Sequence, residues 1–430
     1  MSSALGRALR GLATGLLLAC GVSGAQTLTP PPLAPLALPP VGPTRDVIAA
    51  LPQVLAARAG VAVAQARSER LQAGTYEWAF KAGAQQRRDS AGAQFAESDF
   101  AIERSIRWGN KSEADKALGA AGVLAGELSY ADVWHESVRG LLQSWYDWQR
   151  ARSAQRVQDA QLTLAQQQLD VAARRVKAGE APRMDLLMTQ AERDRVQAAL
   201  AQAQGRAQVQ TYELMKRFPG LVLTVEPPAI AGAPLSLMST ESATSWVARI
   251  VDDNHEVELA QAEARMARLQ SERTQLDSRP DPLLGLRTAN ERGGQENIVG
   301  VYVTIPLTGA YRAAEQRATL ALAEAAEQRL NLTRQKVEAM AQRVVLQAEQ
   351  HQAAWQRLQA VQVAMAEVAQ LAIKAYGLGE LTLTEALQAR RAALEAALAA
   401  DAARWDALES VARVLVDAHQ LWAADEHTAH

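Results

Sequence analysis

Cysteine is almost absent from this chain. Its single cysteine among 430 residues is Cys20, so a disulfide within one chain is excluded. Cys20 ends the apolar run GLATGLLLAC, which follows Arg7 and Arg10 and is typical of a secretory signal peptide. Stability outside the cytoplasm must then come from packing or from oligomerisation.

Two processing sites compete in this segment. Ser23 and Ala25 occupy the small-residue positions for cleavage before Gln26, which predicts a signal peptide over 1–25. The stretch LLAC instead resembles a bacterial lipobox, although Leu18 is unusual at its position. That alternative removes 1–19 and makes Cys20 a lipidated first residue.

An excess of charge, long apolar runs and catalytic motifs are also absent. The formal net charge is -2 with 21% charged residues, which gives no reason to expect a nucleic-acid partner. Outside the N-terminus no apolar run reaches the roughly 18 residues of a membrane helix. The chain has no phosphate loop, nucleophile elbow or HExxH motif, and its six histidines are dispersed. We therefore predict no enzymatic activity, no cofactor and no metal site.

Proline is missing from two long stretches, and glycine is also missing from one of them. Residues 310–376 contain neither, and residues 110–177 contain no proline. Because proline breaks helix interiors, each stretch predicts one helix about 100 Å long at 1.5 Å per residue. Such helices need a partner along their length, as in a coiled coil or helical barrel. After Glu380 a heptad-like seam predicts core positions at Leu387, Leu394, Leu398, Trp405, Leu408 and Leu415.

Two regions follow a strand pattern instead. In 76–108, TYEWAF and SDFAIERSIRW alternate apolar and polar residues on either side of a polar loop. In 281–307, DPLLGLRTAN and NIVGVYVTIPL flank the turn ERGGQE. Each predicts a β-hairpin whose strands approach the length of a membrane-spanning strand. Val301 and Val303 should then face lipid.

The two halves of the chain repeat at an offset of 200 residues. Gly109 matches Gly309, the pair Gly179-Glu180 matches Gly379-Glu380, and Asp185 matches Glu385. Each half predicts a helix, two strands, a very long helix, a small turn and a returning helix. The first predicted division is a Pro-rich extended lead-in (26–45), followed by a first repeat (46–217) with a β-hairpin at about 76–108, a helical hairpin at about 110–217 and a tip at 177–182. A linker (218–243) leads to a second repeat (244–421) with a β-hairpin at about 281–307, a helical hairpin at about 310–421 and a tip at 376–382. The last predicted division is a tail (422–430).

Four strands cannot close a membrane barrel, because the smallest stable ones have about eight. Open strand edges are not tolerated in lipid, where their N–H and C=O groups would lack partners. If the strands span a membrane, several chains must pool them.

The duplicated design resembles the TolC-type outer-membrane efflux channels. The local marks are RRVKAGEAPRMDLLMTQ, KAYGLGELTLTEALQAR and VTIPLTGAYRAAEQRA, and the likeness runs from about Arg45 to about Leu421. The resemblance implies a mostly α fold with a β-barrel part. In it a homotrimer forms a 12-stranded barrel in outer-membrane lipid, continued by a long periplasmic α-helical barrel. The implied function is a passive exit duct served by a periplasmic adaptor and an RND-type inner-membrane transporter.

The resemblance also indicates candidate site residues at the two turns. The predicted adaptor-docking residues are Lys177, Gly179, Glu180, Asp185, Gly379, Glu380 and Glu385; the alternative is that they only cap helices. Asp170 and Glu367 are candidates for a pore constriction, and the alternative is that they lie on solvated helix faces.

Two other protein classes remain open. A periplasmic adaptor also carries a helical hairpin, but normally only one, and a secreted coiled-coil protein leaves the hairpins unexplained. The sequence is equally compatible with export of a metal ion and with export of a drug.

Overall fold

The computed structural model describes residues 36–223, 242–307 and 309–423. The signal-peptide prediction with Cys20, most of the linker and most of the tail lie outside these residues.

The described residues form a series of helices and strands that is repeated once. The first half contains α1 (Val41–Ala49), α2 (Pro52–Ala73), β1 (Ala79–Arg88), β2 (Gln94–Ser105), α3 (Lys111–Lys177) and α4 (Arg183–Arg217). The second half contains α5 (Ala243–Asp252), α6 (His255–Leu276), β3 (Leu283–Glu291), β4 (Glu296–Thr304), α7 (Ala310–Leu378) and α8 (Leu383–Asp417). A 3-10 turn over Arg292–Gly294 joins β3 to β4.

The two proline-free stretches each form one helix, as the sequence predicts. Helix α3 has 67 residues and α7 has 69, so each is about 100 Å long. Each turns back into a helix of 35 residues, α4 or α8, and packs along it. We call the turns between these helices the first tip (177–182) and the second tip (376–382).

The largest core lies at mid-height of the helices, far from both tips. It combines the middle of α3 and α7 with the C-terminal parts of α4 and α8. Trp145, Tyr146 and Trp405 are fully buried there. Alanines such as Ala341 and Ala407 are also fully buried, and their small side chains allow neighbouring helices to approach closely.

The predicted lead-in is wrong for the residues that the structure describes. Residues 36–40 pack on the core and α1 begins at Val41, so this segment is neither free nor fully extended. The Trp145 indole donates to the carbonyl of Ala37 at 2.8 Å, and the Tyr146 hydroxyl donates to that of Leu36 at 2.6 Å. These buried polar tips need acceptors, and the lead-in backbone supplies them.

The four strands form one antiparallel sheet in the order β1-β2-β3-β4. The two hairpins meet through β2 and β3, where Ile102 pairs with Leu286. Strands β1 and β4 are therefore the edges of the sheet, and among the described residues the outer side of each pairs with no strand.

Helices α1 and α2 meet at a bend of 62°. In the described part of the chain no single helix is long and apolar enough to cross a membrane, and this bent pair passes the length and composition test only when taken together.

Candidate functional site

The two tips have the same backbone. Gly179 and Gly379 adopt left-handed conformations with φ of 77° and 78°. The amide of Glu180 donates to the carbonyl of Arg175 at 2.9 Å, and that of Glu380 donates to the carbonyl of Ala375 at 2.9 Å. Such bonds satisfy the last carbonyls of a helix that ends in a left-handed residue. A side chain at either glycine would enter open space, so glycine is favoured there by backbone conformation alone.

The tips differ in how the returning helix is capped. At the second tip, Thr382 Oγ1 accepts from the amide of Glu385 at 3.3 Å, and Glu385 Oε2 accepts from the amide of Thr382 at 2.8 Å. This is a capping box, and the bonds from Thr382 lower the pKa of Glu385. At the first tip Pro182 occupies the N-cap position and provides no side-chain bond.

A contact links the two helical hairpins next to the tips. The hydroxyl of Tyr376, at the end of α7, donates to Asp185 Oδ2 in α4 at 3.0 Å. The Arg175 guanidinium lies 5.0 Å from the centre of the Tyr376 ring. Burial and the bond to Asp185 raise the pKa of Tyr376. Tyr376 and Arg175 were not predicted from the sequence, although both lie inside the motifs that mark the two tips.

Most of the predicted site residues are exposed in the described part of the chain. Six are exposed and the seventh, Asp185, is half-buried under Tyr376. The exposed ones are Lys177, Gly179, Glu180, Gly379, Glu380 and Glu385. Asp170 and Glu367 are exposed on α3 and α7, and Gln166 donates to Asp170 at 3.0 Å. Their role in a constriction stays a prediction.

A second ion-pair group holds the returning helices together. Glu192 of α4 accepts from Arg391 Nε of α8 at 3.1 Å and from Arg195 Nη2 at 2.7 Å. Although burial opposes it, the pKa of Glu192 is lowered by these two guanidinium groups. The group fixes α4 against α8 above the tips.

The sheet separates polar from apolar side chains by face. The register places Lys81, Glu97, Asp99, Glu103 and Arg287 on one face. The opposite face carries large apolar side chains that are exposed: Phe80 (70%), Phe100, Ile102, Leu286, Val299, Val301 (78%) and Val303. An apolar face beside a polar face is the alternation expected of strands with lipid on one side and water on the other.

A buried ion network joins the base of the sheet to the helices. Lys111, the first residue of α3, is 2% exposed, and its Nζ lies 2.9 Å from Asp281 Oδ1. Asp281 also accepts from the Tyr76 hydroxyl at 2.7 Å and from the amide of Trp108 at 2.9 Å. One carboxylate, just before β3, therefore fixes the entry and exit of the first hairpin, and no sequence pattern indicated it.

No protein-family model and no curated relative matches the chain. Solved structures do match. The outer-membrane channel OprN is 14% identical with a TM-score of 0.74, and the match covers 89% of this chain and 90% of that one. The chain has the fold of the outer-membrane channels.

Other channels of this fold agree. The outer membrane protein VceC of Vibrio cholerae is 16% identical with a TM-score of 0.70, and the match covers 89% of this chain and 95% of that one. The open state of the Neisseria gonorrhoeae MtrE outer membrane channel is 14% identical with a TM-score of 0.65, and the match covers 91% and 90%. The resemblance to the TolC-type channels that the motifs indicated is confirmed, and since these identities are low it concerns the fold.

Proposed function

We propose that the chain is the outer-membrane exit duct of a tripartite efflux system. Three copies pool their strands into a 12-stranded barrel in the outer membrane, and the long helices continue it as a tube into the periplasm. The duct conducts passively and catalyses no reaction. A periplasmic adaptor and an inner-membrane transporter, for which the RND type is our candidate, deliver the substrate.

The observation that carries this proposal is the four-stranded sheet. One of its faces exposes a continuous set of apolar side chains, and among the described residues the outer side of each edge strand pairs with no strand. The apolar face is favourable in lipid, but the outer edges of the sheet are not, because their backbone N–H and C=O groups would lack hydrogen-bond partners there. Pairing β1 of one copy with β4 of the next satisfies both conditions, and three copies supply twelve strands.

The proposal extends to the tips as the adaptor-docking surface. Support comes from the exposure of six predicted residues and from the shared backbone of two turns far from the sheet. Helix capping alone accounts for Thr382 and Glu385, which form the capping box, but it gives no role to the side chains of Glu180 and Glu380.

The other classes explain less of the molecule. A periplasmic adaptor or a secreted coiled-coil protein would leave the exposed apolar face and the open edges in water. The channel structures above match 89–91% of this chain, including both halves.

Reconstitution tests the duct. Native mass spectrometry in detergent should give a trimer, and the protein should produce steady conductance in planar bilayers together with heat-modifiable migration on gels. A stable monomer, or a trimer that extracts with soluble periplasmic proteins and gives no conductance, would refute the proposal.

A separate experiment tests the tips. We expect Glu180→Lys combined with Glu380→Lys to assemble normally, to lose crosslinking to the cognate adaptor in cells and to lose export-dependent resistance. The matched control is Glu338→Lys with Glu349→Lys, two exposed acids of α7 distant from the tip, which should leave export unchanged. Gly379→Asp should act like the tip variant. Full crosslinking and resistance in the tip variants would leave only helix capping.

A further inference from the structure

Three of the dispersed histidines come together in the structure. His135 lies in α3, His255 begins α6, and His419 follows the end of α8. The His419 ring centre is 4.9 Å from that of His135 and 4.4 Å from that of His255, and the outer two rings are 6.2 Å apart. We call this group the histidine joint. The described residues contain no group of three or more His, Cys, Asp or Glu side chains placed to hold a metal ion.

The nearest buried acid already has its cations. Asp417 is almost fully buried and accepts from Arg139 Nε and from Arg413 Nε, each at 2.8 Å. His135 Nε2 lies 3.4 Å from the same carboxylate. Two guanidinium groups therefore balance one carboxylate, and little negative charge is left to stabilise a protonated ring beside them.

The other acids lie at the rim of the joint. On α6, Glu258 Oε2 lies 3.2 Å from His255 Nδ1, and Glu256 follows in the same turn. On α3, Glu136 is bound to Arg139, and Asp132 is close enough to His255 and Glu256 for their charges to influence its carboxyl. His255 thus has an acid partner, whereas His135 and His419 share only the neutralised Asp417.

His419 occupies a position where a histidine is costly. Its φ is +55°, the left-handed conformation that glycine or asparagine adopts more readily at a helix end. Its Nε2 is buried and has no hydrogen-bond partner. The backbone conformation does not favour a histidine at position 419. The contacts of its ring must therefore explain why a histidine occurs there.

The joint also holds the end of the described chain. The Trp134 indole donates to the carbonyl of Trp422 at 2.9 Å, and Arg45 Nη2 donates to that of Ala423 at 2.9 Å. Residues 418–423 therefore pack back on α3 and α1 immediately beyond His419. A change at the joint would act first on this segment and on the start of α6.

We propose that the histidine joint is a proton-responsive contact that holds residues 418–423 and the N-terminal end of α6 against α3 while His135 and His419 are uncharged, and that it releases them on acidification. A proton on His419 would place a cation between two other imidazoles and near Arg139. Like charges at such distances in a half-buried site repel strongly. Residues 418–423 remove this repulsion by moving away from α3.

The direction of titration agrees with this geometry. Burial, followed by the charges of His135 and His255, lowers the pKa of His419 to about 4. Burial also lowers the pKa of His135, although its bond to Asp417 opposes the shift. Because both pKa values lie below the ordinary 6.5, the opened state binds protons first. The closed joint is fully favoured above about pH 6.5 and loses stability as the pH falls towards 4.

Amide hydrogen exchange of the full-length protein tests the proposal. After correction for the intrinsic pH dependence, we expect protection of residues 416–423 and 252–258 to fall roughly fivefold between pH 7.5 and pH 5, a factor that corresponds to ~1 kcal/mol. His419→Asn keeps a residue that tolerates the left-handed conformation and should abolish this pH dependence. His351→Asn is the matched control, because His351 is a half-buried histidine outside the joint and should change nothing.

Two results would overturn the proposal. One is an equal pH dependence in the wild type and in His419→Asn. The other is a loss of protection spread evenly over all helices. If His419→Asn does not fold, the hydrogen exchange of the wild type is sufficient for the test. A pH-dependent loss of protection confined to these two segments supports the proposal, and a uniform loss over all helices refutes it.

Discussion

Val301 provides the sharpest test of the membrane face. It is 78% exposed, pairs with Leu286 on the apolar face, and lies one residue from the centre of β4. With a rise of about 3.3 Å per residue, it is about 3 Å from the strand centre, whereas Val303 is about 10 Å away. Since an arginine on the lipid face costs about 2–4 kcal/mol at the bilayer midplane and less near an interface, Val301→Arg should destabilise the proposed barrel by about 2–4 kcal/mol and Val303→Arg by less.

The matched control for Val301→Arg is an arginine on the other face of the same sheet. Gln85 lies on the polar face, where its side chain donates to Glu97 at 2.9 Å, and an arginine can keep a bond to that acid. We expect Gln85→Arg to stay within about 1 kcal/mol of the wild type, because position 85 is exposed on the polar face and surface substitutions usually change stability little. The measurement is reversible urea unfolding in lipid vesicles. Equal destabilisation by both arginines, or none by either, would refute the assignment of the apolar face to lipid.

The remaining predictions concern the tips and the histidine joint. Thr382→Ala removes the capping box and should destabilise α8 by about 1 kcal/mol, whereas Pro182→Ala removes no side-chain bond and should cost much less; thermal unfolding of both variants checks this difference. Tyr376→Phe loses the bond to Asp185 and should cost about 1–2 kcal/mol, and unchanged unfolding would mean that this bond contributes nothing in solution. For His419, a pKa of about 4 against an ordinary 6.5 corresponds to ~2 kcal/mol lost at pH 5; because the ring is only half-buried, we halve this to ~1 kcal/mol for solvent screening. The wild type should lose that much more stability than His419→Asn between pH 7.5 and 5, and parallel pH profiles would contradict it.

Much of the fold could be predicted because its strongest signals are local. The missing prolines determine where α3 and α7 can extend, and alternation of side chains identifies the hairpins. The predicted mixture of long helices with an antiparallel sheet is found. The closed 12-stranded barrel and the trimer stay predictions, because they depend on contacts between copies. The lead-in prediction failed because composition describes a proline-rich segment as extended but cannot show that Trp145 and Tyr146 need its carbonyl groups.

The candidate sites were less readable than the fold. The exposed residues of the tips could be found because duplication marks them, and their docking role stays a prediction. Contacts between residues that are distant in the sequence are not indicated by any repeated motif. Lys111 and Asp281 are 170 residues apart, and the histidine joint combines a residue inside α3, the first residue of α6 and a residue just after α8. Contacts of this kind follow no periodic pattern and no fixed spacing in the sequence, so they are recognised only in the folded structure.

The duplicated tips show how one backbone can carry two chemistries. Both need a left-handed glycine, and both have an acid at the third position of the returning helix, Asp185 or Glu385. At the second tip that acid completes a capping box, so its helix start is satisfied locally. At the first tip proline supplies no cap, and the acid instead accepts from Tyr376 of the other hairpin. The acid of the first returning helix, Asp185, thus depends on α7 for its hydrogen-bond partner. The acid of the second returning helix, Glu385, finds its partner within the first turn of that helix. Any movement that separates α4 from α7 should therefore loosen the first tip before the second, because only the first tip has its acid bound to the other hairpin.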